Sequence, residues 1–139
     1  MDLVKKYNVA GPRYTSYPTV PYWDTTPPTI DAWKDCVKKS YDETNMDHGI
    51  SIYIHLPFCE SLCTYCGCNT RITVNHKVED VYIAAVLNEW KLYLDVFKTT
   101  PKIKDIHLGG GTPTFFSAAN LRKLIEGVLS SSIVSTDAA

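Results

Sequence analysis

The chain has 139 residues and a formal net charge of −1, because 14 basic side chains face 15 acidic ones. Apolar residues make up 45% and charged residues 21% of the sequence, close to the average for globular proteins. This composition excludes a disordered tail, a collagen-like repeat and a coiled coil, and the balanced charge gives no case for a nucleic-acid binder. No run of about 18 apolar residues occurs, so no membrane span is predicted.

The N-terminal part of the chain has an unusual composition. It lacks the apolar stretch of a secretory signal, which predicts a cytoplasmic protein with reduced thiols. Residues 1–28 hold five of the eight prolines, interleaved with aromatic residues, and this predicts extended, irregular chain without helix. Apolar residues at spacings of three and four then predict a helix over residues 30–41, in which Cys36 is expected to be partly buried. We group residues 1–48 as an N-terminal irregular segment followed by one helix.

Residues 49–139 follow the order strand, helix, strand, helix. The predicted elements are a strand at 51–56, a helix at 78–98, a strand at 103–108 and a helix capped by Ser117. Tyr53 and His55 are expected on the polar face of the first strand. The order predicts two parallel strands joined by a right-handed crossover. Because two such strands do not close a core, we expect the chain to be the first part of a longer α/β protein.

Four of the five cysteines fall within ten residues, namely Cys59, Cys63, Cys66 and Cys68. Thiolates are soft ligands that select zinc, copper(I) or iron–sulfur clusters. A structural zinc site normally takes two cysteine pairs about 12–20 residues apart, and no second pair follows here. A cubane cluster suits one short loop better, because each iron takes one thiolate. Three thiolates leave one iron open to a substrate or cofactor, unless Cys68 closes that position.

Three sequence blocks carry a resemblance to a known family. They are GPRYTSYPT at residues 11–19, IYIHLPFCESLCTYCGCN at residues 52–69 and GGGTP at residues 109–113. The Cx3CxxC pattern, with a glycine run after the next strand, resembles the radical S-adenosylmethionine (SAM) superfamily. Cys68 and the first block narrow the resemblance to the oxygen-independent coproporphyrinogen III oxidase family. The resemblance implies the N-terminal βαβα part of a partial (β/α) barrel, preceded by an irregular segment and one helix.

The resemblance also implies a cofactor set and a reaction. Cys59, Cys63 and Cys66 would hold a [4Fe–4S] cluster, and SAM would chelate the fourth iron. Reductive cleavage of SAM would give a 5′-deoxyadenosyl radical that takes a hydrogen from a propionate of coproporphyrinogen III. Loss of CO2 from two propionates would give protoporphyrinogen IX in haem synthesis. An electron donor and an electron acceptor are the implied partners.

Further residues are assigned roles by the same resemblance. Those expected to contact SAM are Tyr53, Tyr65, Gly67, Gly110, Gly111 and Thr112. His55 would lie near SAM or the substrate and handle protons, and Cys68 would be catalytic or contact a second SAM. Arg13 is expected to meet a substrate carboxylate, since arginine binds carboxylates bidentately.

Two other classes of protein stay open. A related haem-carrying chaperone would share Cx3CxxC, but it typically has an aromatic residue in place of Cys68 and lacks the GPRYTSYPT block. A non-catalytic zinc-binding module is the second alternative. Family members are longer, and a partial barrel needs on the order of 200 residues. The chain alone is therefore expected not to turn over substrate.

Overall fold

The first part of the structure contains a short helix. A computed structural model describes residues 2–8 and 22–136, and it divides into two compact units with the boundary after Ile30. In the first unit, helix α1 covers Leu3–Tyr7, and the Asp2 carboxylate caps it by accepting a hydrogen bond from Val4 N at 3.1 Å. The prediction that residues 1–28 contain no helix was wrong, because the prolines begin only at Pro12 and nothing upstream bars a helical turn. The grouping of residues 1–48 stays a prediction.

The other elements follow the predicted order with three short additions. In chain order they are α2 (Ile30–Thr44), β1 (Ile50–Leu56), β2 (Phe58–Cys59), β3 (Arg71–Ile72), α3 (Val78–Phe97), β4 (Lys102–Gly110), a 3₁₀ turn (Pro113–Phe115), α4 (Ala118–Leu129) and β5 (Ile133–Val134). The predicted helices and strands are confirmed, with ends shifted by a few residues. Ser117 caps α4 as predicted, since its side chain accepts a hydrogen bond from Asn120 N.

The main sheet is parallel and has the strand order β1-β4-β5. Strands β1 and β4 place Ser51 opposite Asp105 and His55 opposite Gly109. Strand β5 pairs with the start of β4, opposite Lys102. The expectation of only two strands was wrong, because a strand of two residues carries no alternation that a sequence pattern can reveal.

The core lies between the apolar face of the sheet and helices α3 and α4. The side chains of Leu56, Ile83, Leu124 and Val128 are almost completely buried there. The apolar face predicted for α3 is confirmed, because its residues are buried or half-buried. None of the helices in the described ranges is long and apolar enough to cross a membrane.

Helix α2 packs on α3 through aromatic side chains. The Tyr41 ring stacks on Phe97 with centroids 4.1 Å apart, and Trp33 meets Tyr93 edge to face at 5.4 Å. Cys36 is exposed, so the expectation that it is partly buried was wrong. It lines a groove of about 640 Å³ between α2, β1 and α3, and none of the described residues fills this groove.

Candidate functional site

The cysteine motif and the glycine run meet at the carboxyl ends of β1 and β4. Gly111 N donates a hydrogen bond to Leu56 O at 2.7 Å, and Thr112 N donates to Phe58 O at 3.0 Å. These bonds tie the segment after β4 to the segment after β1. The carboxyl ends of parallel strands are where α/β proteins most often bind ligands. The fold therefore brings together two motifs that lie about 50 residues apart in the sequence.

Two short strands close the base of the cysteine loop, which we define as residues 59–70. Strands β2 and β3 pair in parallel, and Arg71 N donates to Pro57 O at 2.7 Å while Thr73 N donates to Cys59 O at 2.9 Å. Sequence analysis placed the cysteines in one short loop and did not predict this pairing. The two ends of the loop are thus fixed by backbone hydrogen bonds.

The thiols of the cysteine loop differ in their acidity. All are free, with Cys59 and Cys66 half-buried and Cys63 and Cys68 exposed. The pKa of the Cys66 thiol is lowered, chiefly because the backbone N–H of Cys68 donates to its sulfur. The pKa of the Cys68 thiol is raised, first by repulsion from the Cys66 thiolate. Because the thiolate is the form that binds metals, the hydrogen bond from the backbone N–H of Cys68 favours the ligand form of Cys66.

The donor set of the cysteine loop consists of four free thiols, and Cys66 forms side-chain hydrogen bonds with Cys63 and Cys68. Among residues 2–8 and 22–136, no three cysteine, histidine or acidic side chains converge closely enough to hold a single metal ion. A tetrahedral zinc site needs four donors about 2.3 Å from one point. In a cubane cluster each thiolate binds a different iron, so its sulfur atoms do not need to surround a single metal ion. The free thiols of this one short loop are suitable donors for a cubane cluster.

The polar face of β1 carries a chain of hydrogen bonds. His55 Nε2 lies 2.8 Å from the carbonyl oxygen of Asn69, and His55 Nδ1 lies 3.2 Å from the hydroxyl of Tyr53. Since a carbonyl only accepts, Nε2 donates, and in the neutral ring Nδ1 accepts from the tyrosine. The Tyr53 ring also stacks on His107 of β4, with centroids 5.7 Å apart. Tyr53 and His55 lie on one strand face as predicted, whereas sequence analysis gave His107 no role.

Each glycine of Gly109–Gly111 stands where a side chain would collide. A Cβ on the first glycine would lie 2.8 Å from the ring of Tyr53, and on the second 2.6 Å from the ring of His55. On the third it would lie 2.7–2.8 Å from backbone atoms between β1 and β2. The second glycine also has a φ of +102°, which other residues rarely adopt. Because these positions lack side chains, the end of β4 can lie directly against the side chains of Tyr53 and His55 on β1.

A side-chain contact joins the two motifs. The hydroxyl oxygen of Thr112 lies 3.3 Å from the sulfur of Cys59. When Cys59 is a thiolate, the hydroxyl must be the donor in this hydrogen bond. The threonine is therefore placed to influence a sulfur atom of the cysteine loop.

Some predicted residues are not brought into this cluster of contacts. Tyr65, in the cysteine loop, is 99% exposed. A Cβ on Gly67 would meet no atom within 4 Å, so this position faces open space. Arg13 lies outside the described residues.

Glu79 is a buried acid whose importance sequence analysis missed. Its Oε2 accepts hydrogen bonds from Ser117 N at 2.9 Å and Asn120 Nδ2 at 2.8 Å, and its Oε1 lies 2.8 Å from His76 Nδ1. Burial raises the pKa of Glu79, but these hydrogen bonds outweigh burial and lower the pKa to about 2. The carboxylate thus links the start of α3 to the start of α4. An acid in the first turn of a helix is usually solvated, and the sequence gave no signal for partners so distant.

Replacing Glu79 with glutamine should lower the free energy of unfolding by about 1–3 kcal/mol near pH 7, because a charged acceptor is lost. The carboxylate stabilises the fold above its unfolded pKa of 4.5, and this contribution is lost as the pH falls towards 2. Urea unfolding at several pH values should therefore show that the difference in the free energy of unfolding between the parent and the Glu79→Gln protein becomes smaller below about pH 4.5. A difference that stays constant with pH would contradict this explanation.

Comparison with solved structures defines the class of fold. The structure is similar to coproporphyrinogen III oxidase from Escherichia coli, a radical SAM enzyme, with a TM-score of 0.76 and 29% identity. The match covers 98% of this chain and 28% of that chain. The chain therefore has the fold of part of a radical SAM enzyme, and the predicted α/β class is confirmed.

Comparison with curated sequences defines the family. An oxygen-independent coproporphyrinogen III oxidase from Mannheimia haemolytica is 36% identical over 139 residues, covering 99% of this chain and 90% of the relative. One from Pseudomonas aeruginosa is 36% identical over 125 residues, covering 89% of this chain and 26% of the relative. The chain belongs to the oxygen-independent coproporphyrinogen III oxidase family. No family model matches it, and it spans about a quarter of the length of the Pseudomonas and Salmonella relatives.

Proposed function

We propose that the chain forms the cluster-binding and SAM-binding part of an oxygen-independent coproporphyrinogen III oxidase. The observation that carries this proposal is the contact between the cysteine loop after β1 and the Gly–Thr segment after β4, made by Cys59 and Thr112. The relatives that share the chain's sequence carry the name of this enzyme. Free thiols need a reducing compartment, which favours the cytoplasm.

The proposed ligands of the [4Fe–4S] cluster are Cys59, Cys63 and Cys66. The backbone N–H of Cys68 favours the thiolate of Cys66, as a ligand requires. Three thiolates leave one iron for SAM, and the bound pair supplies the one-electron chemistry that removes a hydrogen from the substrate. Cys68 would stay outside the ligand set and either act catalytically or contact a second SAM.

The proposed SAM site lies between the two motifs. Gly110, Gly111 and Thr112 would contact SAM through backbone groups, since the two glycines are half-buried and Thr112 is exposed. Tyr53 would line the same site from β1. Tyr65 and Gly67 belong to the exposed part of the cysteine loop, where they can contact a ligand without moving other residues.

His55 has a more specific role in this proposal than proton handling alone. Its Nε2 donates a hydrogen bond to the carbonyl oxygen of Asn69, so the ring fixes the end of the cysteine loop. Its Nδ1 accepts from Tyr53, so the only proton path that the ring offers runs through the tyrosine hydroxyl. His55 would therefore orient Tyr53 towards the cofactor.

The proposed substrate is coproporphyrinogen III, whose propionates lose CO2. Arg13 would bind one propionate carboxylate through two parallel hydrogen bonds, within an N-terminal segment, residues 1–48, that covers the substrate. An electron donor would reduce the cluster, and an electron acceptor would take the electron left after decarboxylation.

A chimera tests this function. This chain would replace the matched 28% of the Escherichia coli enzyme, and the purified anaerobic protein would be assayed for SAM cleavage and for protoporphyrinogen IX. We expect both activities, and we expect neither when Cys63 is replaced by alanine. SAM cleavage without porphyrinogen conversion would reject the substrate. A fully loaded cluster without SAM cleavage would reject the SAM site.

Replacing Arg13 with alanine in the same chimera should weaken substrate binding, because the carboxylate loses a charged partner worth about 1.5–3 kcal/mol. SAM binding should not change. Titration of each ligand separately measures both effects, and an unchanged affinity for the porphyrinogen would dismiss the role of Arg13.

Replacing Thr112 with valine should lower the reduction potential of the reconstituted cluster, because a hydrogen bond to a ligand sulfur stabilises the more negative, reduced form. Serine at this position keeps the hydroxyl and serves as the control. A redox titration followed by electron paramagnetic resonance compares the three proteins. Equal potentials for the valine and serine variants would show that the Thr112 hydroxyl does not act on Cys59.

A further inference from the structure

His76 lies outside the predicted site but contacts three segments that border it. Its Nδ1 lies 2.8 Å from Glu79 Oε1 at the start of α3, and its Nε2 lies 3.2 Å from Glu60 Oε1 in the cysteine loop. Its ring stacks on Phe115, in the 3₁₀ turn that follows Thr112, with centroids 4.4 Å apart. One imidazole thus connects the cysteine loop, α3 and the turn after the glycine run.

The charge of His76 follows from its two partners. Ionised carboxylates accept hydrogen bonds and cannot donate them, so both ring nitrogens of His76 donate in these two contacts when the ring is protonated. The pKa of His76 is raised, first by its hydrogen bond to Glu79 and next by its hydrogen bond to Glu60. The cation therefore attracts both acids at once.

The two acids differ in their freedom to move. Glu79 is 4% exposed, and Ser117 and Asn120 of the α4 start hold its other oxygen. Glu60 has an exposed side chain and belongs to the loop. His76 is thus anchored on the helices at one nitrogen and holds the loop with the other.

We propose that His76 is a positioning residue that fixes the start of the cysteine loop, through Glu60, against the turn that follows the Gly–Thr segment. The inference deepens the proposed function and rests on it, since Glu60 directly follows the proposed cluster ligand Cys59. Phe115 follows Thr112 by three residues, and Thr112 contacts the sulfur of Cys59. His76 therefore keeps the ligand loop and the Gly–Thr segment at a constant separation.

Two variants remove the contact in different ways. His76→Phe keeps a ring that can stack on Phe115 but loses both hydrogen bonds, and Glu60→Gln removes only the charge in the loop. In the metal-free chain, both should speed amide hydrogen exchange at Cys66 and Thr73, whose N–H groups bond to Cys63 O and Cys59 O, by about two- to fivefold. The double variant should exchange no faster than His76→Phe alone, because His76→Phe already removes the contact that Glu60→Gln weakens.

A matched control is available at the start of the same helix. Asp80 on α3 lies 3.3 Å from Lys123 on α4, and both side chains are exposed, but this ion pair does not reach the cysteine loop. Asp80→Asn should leave the exchange of the loop amides unchanged. Glu60→Gln should also leave the melting temperature unchanged, which separates an effect on the loop from an effect on the fold.

The reconstituted chain gives a second readout. Transfer of iron to a chelator should be faster in His76→Phe and Glu60→Gln by a similar factor, and unchanged in Asp80→Asn. Faster amide exchange in His76→Phe but not in Glu60→Gln would overturn the proposal, because the loop would then not be held through Glu60. Failure of every variant and of the parent chain to take up iron would reject the proposed function, while the exchange rates would still test the role of His76.

Discussion

Replacing Gly111 with alanine is expected to separate the ends of β1 and β4. A Cβ at this position would lie 2.7 Å from Phe58 O and 2.8 Å from Leu56 O. Both are backbone atoms that cannot rotate away as a side chain would. We expect the hydrogen bonds from Gly111 N and Thr112 N to weaken together and the free energy of unfolding to fall by about 2–4 kcal/mol. Urea unfolding and amide exchange at these two residues measure the effect.

Gly67 provides the control for this substitution. It lies in the cysteine loop, and an added Cβ would meet no atom within 4 Å. Gly67→Ala should therefore change the free energy of unfolding by less than about 0.5 kcal/mol. Equal stability of the Gly111→Ala and Gly67→Ala proteins would show that the close approach of the two strand ends is not needed for the fold.

Replacing Cys59, Cys63 or Cys66 with alanine, one at a time, is expected to abolish retention of the iron–sulfur cluster. Each substitution removes the only protein ligand of one iron, so the iron bound after anaerobic reconstitution should fall at least about tenfold. Iron and sulfide analysis of the desalted proteins measures this loss. The three substitutions should have similar effects, because the cluster needs all three ligands.

Two cysteines outside this set serve as controls. Cys36 lies on α2, away from the cysteine loop in the sequence, and Cys68 has a raised thiol pKa that disfavours the thiolate. Cys36→Ala and Cys68→Ala should both retain iron at the level of the parent chain. Loss of iron in Cys68→Ala together with retention in one of the other three variants would require a different ligand set.

The elements with long periodic patterns could be predicted from the sequence. Helix α3 shows apolar residues over five turns, and β1 alternates polar and apolar residues over its whole length, so their type and burial were predicted correctly. Helix α1 and strands β2, β3 and β5 are too short to show a period. Strands β2, β3 and β5 form because a neighbouring strand satisfies their backbone groups, which is a tertiary feature, whereas the cap of α1 by Asp2 is local.

The candidate site was only partly predictable for a similar reason. The cysteine spacing and the glycine run are local patterns, and they indicated the two halves of the site. The contact of Thr112 with Cys59 and the links of Glu79 to α4 join residues about 40 or more positions apart. Glu79 depends on Ser117 and Asn120 of the α4 start, and His76 depends on Glu60 of the cysteine loop, so sequence analysis gave neither residue a role.

The central claim is that three thiolates of one loop hold a cluster with one iron open to SAM. Its most direct test is electron paramagnetic resonance of the anaerobically reconstituted and reduced chain, before and after addition of SAM. We predict about four iron and four sulfide per chain and a spectrum that changes when SAM binds to the open iron. A chain that binds zinc in preference to iron, or a cluster spectrum that SAM leaves unchanged, would contradict the claim.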